Sequence, residues 1–224
     1  MRFLDVLLPL RCAACGAAGT ELCADCRARL PRIGLPICAR CGAPTAWPVA
    51  RCRECAGRCL AFAQARSALA YSGPVPRVVT AWKERGLRHL AREVAAIVAE
   101  AVPRPCVKAL VCVPAQDERA LRRGFHPAEA LAFELAAVWE LPLEPLLERV
   151  GVPRRQRGLK VADRRRNVGH AFRARAGIHA PAIVCLVDDV YTTGETASAC
   201  SSMLLRAGCR RVEVIALARA VRER

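Results

Sequence analysis

Aromatic side chains are scarce in this sequence: three Trp, two Tyr and five Phe make up 4% of its 224 residues. The hydrophobic share is nonetheless 54%, carried largely by Ala, Leu and Val, which suits helices packed on a parallel sheet better than a β-sandwich. No apolar run approaches the roughly 18 residues of a membrane-spanning helix. The apolar start, Phe3 to Leu10, is short, contains Asp5 and Pro9, and lacks a small-residue cleavage site. A secretory signal is therefore not expected, and the expected compartment is the cytoplasm. Acidic residues are also in short supply, 20 Asp and Glu against 36 Lys and Arg, a net charge of +16. That balance favours polyanionic partners: nucleic acid, phosphorylated metabolites or an anionic membrane surface. No Ser/His/Asp or Cys/His grouping of the kind that activates a protein nucleophile stands out.

Cysteine, by contrast, is abundant. There are 14, and a reducing compartment requires a use for them other than disulfides. Eight form four C-x-x-C pairs before residue 60: Cys12/Cys15, Cys23/Cys26, Cys38/Cys41 and Cys52/Cys55. One knuckle turns two thiolates toward a point, and two knuckles complete a tetrahedral S4 site for Zn2+. Sequential pairing gives two ions; interleaved pairing satisfies the same spacing. Such sites are structural, because no coordination position is left for water or substrate. Residues 1–61 thus read as a double zinc-ribbon-like module. Gly16 and Gly42 follow two knuckles where a positive φ is often needed. Cys59 falls outside the pairs, and Cys106, Cys112, Cys185, Cys200 and Cys209 read as small core residues. The module carries nine Arg against four acids.

Residues 62–224 carry the pattern of an α/β domain. Ala68 to Tyr71 is strand-like, and Ser72-Gly73-Pro74 turns the chain. Leu87, Leu90, Ala91, Val94, Val98 and Ala101 repeat as one helix face just beyond Lys83. A second strand, Ala109 to Val113, ends at Pro114. Pro127 opens a helix whose expected apolar face is Leu131, Leu135 and Val138. His126 before it reads as a capping or exposed residue. From Arg149 to Arg175, ten Lys and Arg stand against one acid, Asp163. Val184 to Val187 is a four-residue apolar run, the mark of a buried strand, and it runs into Asp188 and Asp189. Thr192, Thr193, Gly194, Glu195 and Thr196 then lead into a helix with Ala197, Cys200, Leu204 and Ala207 on one face. A strand, a small-residue turn and a helix N-terminus form an anion cup, and carboxylates beside it suit sugar hydroxyls or a divalent cation. Val212 to Leu217 gives a further strand, and Arg219 to Arg224 reads as a basic tail.

The string V-C-L-V-D-D-V-Y-T-T-G-E-T resembles the phosphoribosyl pyrophosphate signature of type I phosphoribosyltransferases. With the knuckles, the entry segment Y-S-G-P-V-P-R-V-V-T-A-W-K and the R-G-F element at 123–125, the chain resembles the ComF family, competence-related proteins with a zinc module and a phosphoribosyltransferase-like domain. Where that family usually continues with Asn-Gln, this chain has His126-Pro127. The resemblance implies a doubly wound, mostly parallel sheet. It implies that Thr192 to Thr196 hold a 5′-phosphate and that Asp188 and Asp189, the expected catalytic pair, hold the ribose hydroxyls, with Mg2+ bridging the pyrophosphate. Lys83 matches a family lysine that can meet the pyrophosphate; a solvated lysine at the start of a helix is the plainer reading. Arg164 and Asn167 fall in the family's basic segment, which in such enzymes closes over the ligand. Two functions follow: a phosphoribosyl transferase with an unspecified acceptor, or a non-catalytic accessory of DNA uptake. The accessory would sense phosphoribosyl pyrophosphate or handle single-stranded DNA beside the competence machinery.

Overall fold

The computed structural model describes residues 10–85, 87, 89–115, 125–150 and 171–221. Four parallel strands form the sheet: β1 (Gln64–Ala70), β2 (Ala109–Cys112), β5 (Ile183–Tyr191) and β6 (Arg211–Arg219), in the order β1-β6-β5-β2. Two three-residue strands, β3 (Leu147–Arg149) and β4 (Phe172–Ala174), pair antiparallel and bracket the basic segment. The helices are α1 (Ala24–Ala28), α2 (Val75–Arg85), α3 (Leu90–Ala101), α4 (Pro127–Trp139) and α5 (Glu195–Arg206).

Both faces of the sheet are buried, as parallel strands require. Along β5 the side chains alternate: Cys185 and Val187 join a core with α3 and α4, while Val184 and Leu186 join one with α5. The cysteine-rich segment splits in the same way. Cys12, Ala13, Leu22 and Leu30 pack into the first core, and Cys38, Cys41, Leu60 and Phe62 into the second. The ribbon halves therefore contribute to the cores on both sides of the sheet. Gly42 shows how closely the second half sits: at φ +69, an added Cβ would lie 2.5 Å from the Ala65 carbonyl oxygen in β1.

Several expectations need correction. The apolar repeat beyond Lys83 does not form one helix from Leu87: α2 ends at Arg85, α3 starts at Leu90, and Leu87 packs on the core from outside either helix. Lys83 lies in the last turn of α2 rather than at a helix start. Val138 is 54% exposed, because the buried stripe of α4 runs through Ala128, Leu131, Ala132, Leu135 and Trp139 and the helical period places Val138 off to its side. Cys106 is exposed and Cys112 half-buried, whereas Cys185, Cys200 and Cys209 are core residues. The largest departure is Arg219. It ends β6 and is fully buried, so it is no part of a basic tail; Arg222 to Arg224 lie outside the described residues.

After α4 the chain returns beside β2 on the side away from β5. Leu110 N–H donates to Pro142 O, Glu144 N–H donates to Leu110 O, and Leu143 bridges Leu110 in parallel. The connection leaving β2 thus runs outward, while the connection leaving β5 runs through α5 to β6. Between the carboxyl ends of β2 and β5 the winding reverses. That is where an open α/β sheet leaves a ligand crevice.

Candidate functional site

A cavity of about 530 Å3 opens at this reversal. Lys83, Asp188, Asp189, Thr192, Gly194 and Thr196 all line it, so residues up to 113 positions apart in the chain meet at one place. Strand β5 carries the acids. It continues through Asp188 and Asp189 to Tyr191, three residues beyond the point where the carboxylates begin. The Asp188 carboxylate accepts from the Asp189 N–H at 2.9 Å, and the Asp189 carboxylate accepts from the Val190 N–H at 2.6 Å. The other Asp189 oxygen lies 2.6 Å from Lys83 Nζ. Burial and the neighbouring Asp189 charge push Asp188 up from 3.8 to about 7. Cations or hydroxyl donors in the cavity would favour its ionised form.

The turn after β5 is set by one glycine. Gly194 precedes α5 at φ +76, and an added Cβ would stand 2.6 Å from the Tyr191 ring carbon Cζ and closer still to its hydroxyl. A side chain is excluded twice, by conformation and by space. No side chain caps α5 from this position. The turn therefore presents backbone and the positive end of a 12-residue helix to the cavity.

Two predicted residues sit at the edge of this arrangement. Thr193 and Glu195 are not among the lining residues. The Glu195 carboxylate faces the cysteine-rich segment, where it accepts from Arg58 at 2.6 Å, and the same guanidinium donates to the Thr193 carbonyl at 2.7 Å. Arg164 and Asn167 lie outside the described residues. Phe125 and His126, at the start of α4, line the cavity as well. His126 occupies the residue before α4 without a side-chain cap, and burial lowers its pKa despite the pull of Asp189 and Glu129. Its role is therefore neither capping nor exposed.

The eight knuckle cysteines form two groups, Cys12, Cys15, Cys23, Cys26 and Cys38, Cys41, Cys52, Cys55, with all sulfurs of a group within 4.8 Å of one another. The S···S separations are 3.8 Å for Cys15–Cys23, 3.6 Å for Cys38–Cys55 and 3.4 Å for Cys41–Cys52. Zinc bound at about 2.3 Å to each of four tetrahedral sulfurs would set these near 3.8 Å. The pairing is sequential. Backbone N–H groups aim at the sulfurs, Cys23 N–H at Cys12 and Cys52 N–H at Cys38. Burial opposes ionisation of Cys12, yet N–H groups of Cys15, Cys23 and Ala14 outweigh it and bring the thiol to about 6. Cys26 is pushed up to about 12 by its hydrogen bond to Cys23. One divalent cation per group would stabilise all four thiolates together. Cys59 is exposed and belongs to neither group.

Residues 3–60 match the family model described as a double zinc ribbon domain. Over most of its length the chain is 29% identical to "Competence protein F" of Haemophilus influenzae, covering 94% of this chain and 97% of that protein. It is 29% identical to "DNA utilization protein YhgH" of Salmonella typhi, covering 88% and 90%, and 27% identical to "Competence protein ComFC" of Streptococcus pneumoniae, covering 88% and 87%. The chain is similar to ComF-type competence proteins over most of its length. The zinc groups of the ribbon agree with the double zinc ribbon match.

In this ComF-like chain the residues that local pattern leaves unmarked are mostly those that hold the turn. Tyr191 lies inside the signature string but was silent, since its role is to fill the space behind Gly194. Arg58 is one of the nine Arg of the module, and Arg219 the first residue of the expected basic tail. No spacing rule marks an arginine that crosses from one module to another. No helix among the described residues is long and apolar enough to cross a membrane.

Proposed function

We propose that the cavity binds phosphoribosyl pyrophosphate with Mg2+, and that the protein transfers phosphoribose to an acceptor within DNA utilization. The zinc ribbon is taken as residues 1–61 and the ligand domain as 62–224. The observation that carries this reading is the convergence, at the winding reversal, of an acidic pair, a glycine-only turn and a helix N-terminus. Backbone N–H groups from Thr192 to Thr196 suit a 5′-phosphate. Asp188 and Asp189 suit the ribose hydroxyls, and their charge would stabilise the cation that develops at C1. Lys83 is placed to offset pyrophosphate charge. Mg2+, when bound, would neutralise the pyrophosphate as it leaves, and it favours the oxygen donors that the two acids offer. In the transfer, the C1–oxygen bond to pyrophosphate breaks while a bond from the acceptor to C1 forms. That step needs positioning more than an activated protein nucleophile.

The test is a calorimetric titration with phosphoribosyl pyrophosphate, with and without Mg2+, on the full chain and on the Asp188→Asn/Asp189→Asn variant. Binding by the unaltered protein only with Mg2+, lost in the variant, is expected. An unaltered protein that takes up no ligand with Mg2+ present ends the proposal. The net charge of +16 favours a second reading, single-stranded DNA handling beside the competence machinery. It predicts filter binding of a single strand that falls steeply with salt, and negligible binding at low salt would exclude it.

A further inference from the structure

The two ribbon halves are tied to the sheet in different ways. In the first half, Arg27 and Arg32 pair with Glu93 and Glu100 on α3, away from the cavity. The second half is tied to β1, through Arg66 to the Ala39 carbonyl and Ala65 N–H to the Arg40 carbonyl, and also to the turn that lines the cavity. Arg58, three residues after Cys55, donates one N–H to the Thr193 carbonyl at 2.7 Å and another to Glu195 at 2.6 Å. Ala61 N–H donates to Ser198 Oγ in the first turn of α5 at 3.1 Å. From below, the buried Arg219 guanidinium donates to the Cys41 carbonyl and, at 2.7 Å, to Glu54 between the third and fourth ligands of that zinc group. The same guanidinium lies 5.1 Å over the Tyr191 ring, the ring that fills the space behind Gly194. Phe62 meets Tyr191 edge-on at 6.2 Å.

The turn is thus held at both shoulders and from behind by the second ribbon half. We infer that Arg58 is a positioning residue for the anion turn, and that the second zinc group, not the first, sets the turn's order and its affinity for a phosphorylated ligand. The chemistry is direct. Glu195 stands at the helix N-terminus, where its charge suits the dipole but opposes a phosphate bound on the same turn. Pairing with Arg58 turns that carboxylate outward and adds a compensating cation. The bond to the Thr193 carbonyl fixes the peptide before Gly194, so the turn need not be ordered at the moment of binding. Zinc in the second group fixes the knuckle from which Arg58 extends, and fixes Glu54 and the Cys41 carbonyl that Arg219 holds.

This inference rests on the proposed phosphate site for its ligand but not for its structural content, and two readouts separate them. Hydrogen exchange of the ligand-free full chain follows the peptide spanning 192–200. Arg58→Ala should raise exchange there several-fold while leaving β2 and α4 unchanged, and Arg58→Lys should recover part of the protection. Calorimetry with phosphoribosyl pyrophosphate and Mg2+ should show about tenfold weaker binding for Arg58→Ala, the effect expected from loss of one or two charged hydrogen bonds. In a second pair, Cys15→Ser and Cys52→Ser should each lower bound zinc, and only Cys52→Ser should loosen the 192–200 peptide. Unchanged exchange in Arg58→Ala, or equal loosening by the two cysteine variants, overturns the inference. If the unaltered protein does not bind phosphoribosyl pyrophosphate, the ligand reading falls, and exchange alone decides the positioning role.

Discussion

Replacing Asp188 by Asn should stabilise the ligand-free protein at pH 8 and remove its affinity for phosphoribosyl pyrophosphate. Burial and the Asp189 charge raise Asp188 from 3.8 to about 7. The native state therefore binds this proton more tightly than the unfolded chain does. Its contribution to stability is complete below the unfolded value near 4 and is lost as pH rises through about 7. A shift of that size amounts to roughly 4 kcal/mol at 1.36 kcal/mol per pKa unit. Because the carboxylate lines an open cavity, solvent screening makes about half that a better figure, and between pH 5.5 and 8 about 1 kcal/mol remains. Asn has no proton to lose, so its stability relative to the parent should rise by about 1 kcal/mol over that interval, or about 2–4 °C in melting temperature. Urea unfolding of both proteins at the two pH values is the assay. Other titrating groups act on both proteins and largely cancel. A stability difference independent of pH would refute the argument, because it would mean that Asp188 is ionised in the native state at both values. Retained affinity in the variant would refute its ligand role.

Three further outcomes follow from the same geometry. Gly194→Ala should destabilise the protein by about 2–4 kcal/mol, from the left-handed backbone and the overlap with Tyr191, and should weaken phosphate binding in the same calorimetric assay. Metal analysis of the purified protein should find about two zinc ions per chain, and chelation should melt the ribbon as followed by circular dichroism; a folded, metal-free protein would contradict the two S4 groups. Leu135→Ala should cost about 2–5 kcal/mol in denaturant unfolding, whereas Val138→Ala, on the exposed side of α4, should cost under about 0.5 kcal/mol.

What the sequence made legible was what local spacing dictates. A C-x-x-C knuckle is a short-range structure, and four of them announce two metal groups whatever surrounds them. The run from Val184 to Thr196 is equally self-contained, since strand, turn and helix N-terminus lie in consecutive residues. Contacts between distant segments were not legible. Strands β3 and β4 have three residues each and pair across more than 20 intervening positions, so neither has enough pattern to be read alone. Val138 follows Leu131 and Leu135 at helical spacing, but the buried stripe is centred on Ala128, Ala132, Leu135 and Trp139, which leaves it to one side. Arg219 sits next to Arg222 and Arg224 in sequence and looked like part of their run. Only the fold shows that Glu54, the Cys41 carbonyl and the Tyr191 ring satisfy its charge in the interior. Burying an arginine is tolerated on such terms and rarely otherwise.

A crystal structure of the full chain grown with phosphoribosyl pyrophosphate and Mg2+ would decide where the ligand lies. The 5′-phosphate should rest on the backbone of Thr192 to Thr196, with the ribose hydroxyls facing Asp188 and Asp189. Ligand bound elsewhere, for example on the arginines of the ribbon, with the cavity at β2 and β5 left empty, would contradict the proposed site.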